Sequence, residues 1–135
     1  MARIFVKRAY DPPAAADGTR FFVERLWPRG VKKAALAVAA WIKEVAPSAA
    51  LRTWYAHDPA KWPEFRRRYL AELAANPDAL RPLLDAVRRG PVTLVFAARD
   101  VERNSAVVLK RFLERRGPGA RAAPKRAGST PKRAA

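Results

Sequence analysis

Cysteine is absent from the 135 residues, histidine and methionine occur once each, and only 12 acidic residues stand against 28 Lys and Arg. Without thiols there is no disulfide framework, no Cys-based metal cluster, and no thiol nucleophile or rhodanese-type sulfur carrier. Such a composition fits a reducing cytoplasm, where we expect the protein. No stretch approaches the roughly 18 consecutive apolar residues of a membrane span. The opening Met1-Ala2-Arg3-Ile4-Phe5-Val6-Lys7-Arg8 holds no apolar signal core, so neither a membrane partner nor secretion is expected.

Other chemistries are missing too. Ser48, Ser105 and Ser129 lack a nucleophile-elbow context, no His/Cys/carboxylate spacing suggests a metal, and no Gly-rich phosphate fingerprint is present. Neither a winged helix-turn-helix order nor a methyl-donor glycine loop can be traced. We therefore expect no metal site, and the residues single out no cofactor.

What is abundant is positive charge, a formal +16. Two readings stay open: free use of surface Arg by a GC-rich genome, or a polyanion partner. Residues 117–135 contain no large apolar or acidic residue and have nothing to bury against the entropy of ordering, so we read them as a disordered basic tail. Pro-Lys-Arg-Ala occurs there at 124–127 and 131–134, carrying Lys125, Arg126, Lys132 and Arg133. Residues 1–116 then form a single domain.

Within that domain Ile4–Arg8, Arg20–Leu26 and Val92–Ala98 read as strands, each β-branched or aromatic-rich and bounded by turn residues. Helices are expected at 34–40 and 48–55, then after Asp58-Pro59 with regular helix delayed past Pro63. A further helix is expected from Asn76-Pro77 to Gly90, kinked at Pro82, and a last one from near Asp100. Strands separated by helical connections imply an α/β fold: a small, mainly parallel sheet flanked by α-helices, with binding sites at the carboxyl ends of the strands.

Those ends are rich in Arg and aromatic residues. The first strand runs into Arg8, Tyr10 and Asp11, the second into Arg25, Trp27 and Arg29, and the third into Arg99, Asp100 and Asn104. Alternation puts Glu24 on the face of Phe22 and Arg25 on the face of Phe21 and Val23, so each charge needs a structural partner or a ligand. If the three ends adjoin, Arg8, Arg25, Arg29 and Arg99 surround a helix amino terminus whose free N–H groups favour an anion. Alternatively Asp100 caps that helix and the arginines pair with Asp11, Asp17 and Glu24. His57, next to Asp58, is either an acid/base group or a structural hydrogen-bonding residue. Trp41, Trp54 and Trp62 lie in amphipathic stretches and read as core; Trp27 does not.

Several of these segments resemble the YeaO-like branch of the DUF488 family. They are Lys7-Arg8-Ala9-Tyr10-Asp11-Pro12, Asp17-Gly18-Thr19-Arg20, Arg25-Leu26-Trp27-Pro28-Arg29-Gly30, Ala46-Pro47-Ser48, Leu51-Arg52, His57-Asp58, Phe65, Tyr69, Glu72-Leu73 and Thr93-Leu94. The resemblance covers nearly all of residues 3–115 and implies a small bacterial α/β protein with no assigned activity. Two departures stand out: Glu24 occupies a position where such relatives usually carry Asp, and Ser105 one where they commonly carry His.

Two functions from different classes follow. In the first, residues 1–116 bind a small anionic or phosphorylated molecule, with or without turnover, among Arg8, Tyr10, Asp11, Arg25, Trp27, Arg29, His57, Arg99, Asp100 and Asn104. In the second, Arg66-Arg67-Arg68, Lys32-Lys33 and the tail supply non-specific phosphate contacts to nucleic acid.

Overall fold

The computed structural model describes residues 3–116, and the basic tail lies outside them. Four strands, β1 (Ile4–Arg8), β2 (Thr19–Phe22), β3 (Ala40–Trp41) and β4 (Val92–Phe96), form one parallel sheet in the order β1-β4-β2-β3. Five helices accompany it: α1 (Lys33–Leu36), α2 (Ala49–Tyr55), α3 (Trp62–Ala74), α4 (Pro77–Arg89) and α5 (Ser105–Arg116). No helix among the described residues is long and apolar enough to cross a membrane.

Register explains the layering. Pairing of Ile4 with Val92, Thr19 with Val92 and Phe21 with Leu94 puts Ile4, Val6, Val92, Leu94, Phe96 and Phe21 on one face. That face meets the apolar stripes of α2 to α5, including Leu51, Phe65, Tyr69, Leu83, Leu109 and Leu113, in one buried core. The other face is split. Phe22, Val95 and Ala9 meet Leu36 of α1 and the Trp27 ring in a small apolar cluster. Beside it Lys7, Arg20 and Thr93, which share this face, gather around Asp17.

The Asp17 carboxylate accepts from Arg20 Nη1 at 2.7 Å, from Lys7 Nζ at 3.0 Å and from the Ala14 N–H at 3.0 Å. Its backbone carbonyl accepts from the Thr93 hydroxyl, and Arg20 reaches on to the carbonyls of Leu36 and Ala37. Burial raises the Asp17 pKa, but these hydrogen bonds and the two cations outweigh it and hold the carboxyl below its ordinary value. Gly18 follows at φ +65°, and a Cβ there would lie 2.2 Å from the Pro91 carbonyl oxygen. The Asp-Gly-x-Arg segment is thus a structural clasp.

Several elements differ from expectation. β2 ends at Phe22, four residues early, because the chain bends at Glu24. The helix expected over 34–40 is one turn, closed by Ala37 in the left-handed conformation, and the residues beyond it form β3, too short to show alternation. α3 starts at Trp62 with Pro63 inside its first turn, where a missing N–H costs nothing. α4 runs on through Pro82. The last helix begins at Ser105: the Asn104 Oδ1 accepts the Val107 N–H, so Asn104 is its cap, whereas Asp100 closes the preceding turn on the N–H groups of Glu102 and Arg103.

Replacing Asp17 with Asn leaves Arg20 buried without its counter-charge and should cost about 3 kcal/mol of stability at neutral pH in chemical denaturation. Because the folded-state pKa of Asp17 is depressed, its contribution is present above the unfolded carboxylate value and lost as pH falls through the folded one. The gap between wild type and D17N should therefore close in acid; a gap independent of pH would refute the clasp.

Candidate functional site

A cleft of about 430 Å³ opens at the carboxyl ends of β2 and β4, within the usual range for small-molecule sites. Its walls come from the bend after β2 (Glu24, Arg25, Leu26), from Ala46 and Pro47, from α2 and the turn after it (Arg52, Thr53, Tyr55, His57), and from Phe65. The residues after β4 (Ala97, Ala98) and the approach to α5 (Arg103, Asn104, Ser105) close it. The early end of β2 overrides the alternation expected of Glu24 and Arg25, and both line this one cleft.

Arginines dominate its electrostatics. The Nε atoms of Arg25 and Arg52 are buried and have no hydrogen-bond partner among the described residues. A buried donor left unmade costs about 1–3 kcal/mol, more when charged. Arg103 differs, since its guanidinium is tied to Asp100 at 3.3 Å. Glu24 is half-buried, and its carboxylate accepts a long bond from the Ala98 N–H, at 3.4 Å. Burial raises its pKa, partly offset by the amides of Ala97 and Ala98 and by the charges of His57 and Arg52. The Glu24 backbone carbonyl is held by the Trp41 indole at 2.6 Å, which fixes the bend.

Tyr55 and Phe65 stack at 4.4 Å between centroids and give the cleft an aromatic wall. Burial, then the Asp100 charge, raises the Tyr55 pKa, so its hydroxyl stays neutral. His57 sits 6.1 Å from the Tyr55 ring, on a backbone where both Ala56 (φ +49°) and His57 (φ +58°) adopt the left-handed region. A pair of non-glycine residues in that region carries strain.

Of the residues expected at a site, Arg25, His57 and Asn104 meet in this cleft, and the others lie elsewhere. Arg8 donates to the carbonyls of Ala97 and Ala98 and stacks over Tyr10 at 5.1 Å. The Tyr10 hydroxyl reaches the Arg29 carbonyl, while Asp11 and the Arg29 side chain face solvent. Trp27 packs against Phe22 and Trp41 on the opposite face and donates to the Val31 carbonyl. Arg99 is exposed outside the cleft. Asp100 spends its carboxylate on Glu102, Arg103 and the Arg103 side chain, and hydrogen bonds from the Arg103 and Glu102 amides lower its pKa. The N–H groups expected to receive an anion there are therefore occupied by Asp100.

The alternative set is placed as follows. Arg66, Arg67 and Arg68 are exposed on α3, but Arg67 and Arg68 both bond Glu64, bringing its pKa down to about 2, and Arg68 also stacks over Trp54 at 4.2 Å. Lys125, Arg126, Lys132 and Arg133 lie outside the described residues. Sequence reasoning did not nominate Arg52, Tyr55 or Arg103 for a site. The available signal was Arg52 beside buried Leu51 and three residues before buried Tyr55, a charge set at the margin of an apolar stripe. Among the described residues no group of three or more His, Asp or Glu side chains could hold a metal ion.

Comparison with known proteins gives a family. A family model described as "Inactive DUF488-N3 subclade" matches residues 3–131. The chain is 42% identical over 107 residues to the uncharacterised protein YeaO of Escherichia coli K12, covering 79% of this chain and 93% of YeaO. It is also 42% identical over 114 residues to the uncharacterised protein Rv3073c of Mycobacterium tuberculosis H37Rv, covering 84% of this chain and 96% of the relative. No solved structure gives a significant match. With the match spanning the whole α/β domain, the chain belongs to the DUF488 family, among its YeaO-like members.

Proposed function

We propose that this protein binds a small anionic molecule in the cleft at the carboxyl ends of β2 and β4, and binds it without turning it over. The observation that carries the reading is that Arg25 and Arg52, each with a buried Nε that has no partner among the described residues, line the same cleft. Each arginine is half-buried with one N–H unmade, and an oxyanion accepting from the rest of its guanidinium would offset that cost. The aromatic wall of Tyr55 and Phe65 suits an organic body attached to that anion. Absence of turnover accords with the description of the matching subclade as inactive, and with a cleft whose titratable groups, Glu24, His57 and Tyr55, include no activated nucleophile.

Sulfate binding to the full chain, followed by calorimetry, tests the site. Arg25→Gln and Arg52→Gln should each weaken it about tenfold or more while leaving thermal stability unchanged or raised, since each removes an unsatisfied buried donor. Arg29→Gln, outside the cleft, should change nothing. Loss of stability with unchanged sulfate affinity would overturn the reading. Binding confined to oligonucleotides and fading with salt would instead favour the exposed arginines of α3 and the tail.

Glu24 gives the site a pH dependence. Its raised pKa means that it takes up a proton above the ordinary glutamate value, which removes a negative charge beside the bound anion. Sulfate affinity should rise as pH falls toward the ordinary glutamate range, and the rise should begin above that range. Arg52, His57 and the amides of Ala97 and Ala98 are the groups acting on Glu24. The variant H57N removes the imidazole and tolerates the left-handed backbone, so the rise that persists in H57N and vanishes in H57N/E24Q belongs to Glu24. A profile that is flat in H57N would exclude Glu24.

A further inference from the structure

Opposite charges line the cleft and do not meet. Neither the Arg25 nor the Arg52 Nε has a partner among the described residues, and the Glu24 carboxylate is met by backbone amides alone, that of Ala98 at 3.4 Å. Elsewhere in the same fold, inward charges are joined. Asp17 is paired with both Arg20 and Lys7, and Glu72 takes the amide and hydroxyl of Ser48 at 2.9 and 2.7 Å. Arg103, the remaining cation of the cleft, is already committed to Asp100. Two arginines with an unmade N–H and one carboxylate without a cationic partner thus line one cleft, and none of them is paired with another.

We infer that the ligand is dipolar: an oxyanion held by Arg25 and Arg52, joined through an apolar or aromatic body to a protonated amine or other N–H donor that reaches Glu24. The inference rests on the anion-binding reading above and narrows it to a class. A simple anion would satisfy the arginines and leave Glu24 repelling it, whereas a molecule carrying both groups satisfies all three side chains. The walls fit such a body, since Leu26, Phe65 and the Tyr55 ring line the same cleft as the polar groups. The raised pKa of Glu24 fits as well, because an acid in search of a counter-charge loses its proton readily once an ammonium arrives.

A matched pair of probes separates the two readings. Tyramine phosphate and 4-ethylphenyl phosphate share the ring and the phosphate and differ in the ammonium group. Titrated calorimetrically into the full chain near neutral pH, tyramine phosphate should bind about tenfold more tightly, the worth of one charge-assisted hydrogen bond. Glu24→Gln should bring the two affinities together while 4-ethylphenyl phosphate still binds. Arg52→Gln should weaken both and preserve their ratio. Equal binding by the wild-type chain, or a preference for 4-ethylphenyl phosphate, would overturn the dipolar ligand and leave the anion site standing. Failure of both probes to bind would remove the anion site and this inference with it. The wild-type comparison needs no variant to fold, so the outcome does not hang on the tolerance of position 24.

Discussion

Asp17 is the point at which four parts of the chain are tied. Its carboxylate takes Lys7 from β1 and Arg20 from β2, its carbonyl takes Thr93 from β4, and Arg20 extends the tie to the last carbonyls of α1. Each of these groups would be expensive to bury alone, and together they satisfy one another. The close approach of Gly18 to Pro91 forbids any side chain that would loosen the junction. On this face the polar knot joins β1, β2, β4 and α1, where apolar contact is limited to the small cluster around Phe22.

With the sheet fixed in this way, its other features can be spent on a site. The Arg-Leu-Trp-Pro-Arg-Gly segment divides its labour along six residues. Arg25 and Leu26 turn into the cleft, Trp27 folds back onto Phe22, and Arg29 offers its carbonyl to Tyr10 while its side chain stays in solvent. The indoles of Trp27 and Trp41 hold this bend from below, through the carbonyls of Val31 and Glu24. A short run of sequence thus contains both the candidate binding groups and the scaffold that aims them.

The α/β class, the parallel sheet and the positions of β1, β4 and α2 to α4 were legible because their signals are local: β-branched runs, Pro and Asp near helix starts, apolar residues at helical spacing. β3 was not legible, since two residues carry no period, and neither was the end of β2, set by a tertiary bond from Trp41 to the Glu24 carbonyl. The carboxyl-end rule pointed to the end of the sheet where Arg25 and Asn104 line the cleft. Trp27 takes the opposite face of the sheet, and Arg8, on β1 beyond β4, bonds the Ala97 and Ala98 carbonyls instead of lining the cleft. Arg52 escaped attention for a different reason. It sits on a helix, and only the packing of α2 over the ends of β2 and β4 brings it there.

The strand order has a consequence for how the chain acquires its structure. β4 lies between β1 and β2, yet it is the last strand to be made, some 70 residues after β2 ends. Until Val92–Phe96 has left the ribosome, β1 has no neighbour and β2 has only the two-residue β3. Helices α2 to α4 are complete earlier, but Val92, Leu94 and Phe96, central to the apolar surface they cover, do not yet exist. The sheet therefore closes late, around its final strand, in a step whose loop-closure entropy is large, and the nascent chain exposes both unpaired strands and bare helix faces while it waits.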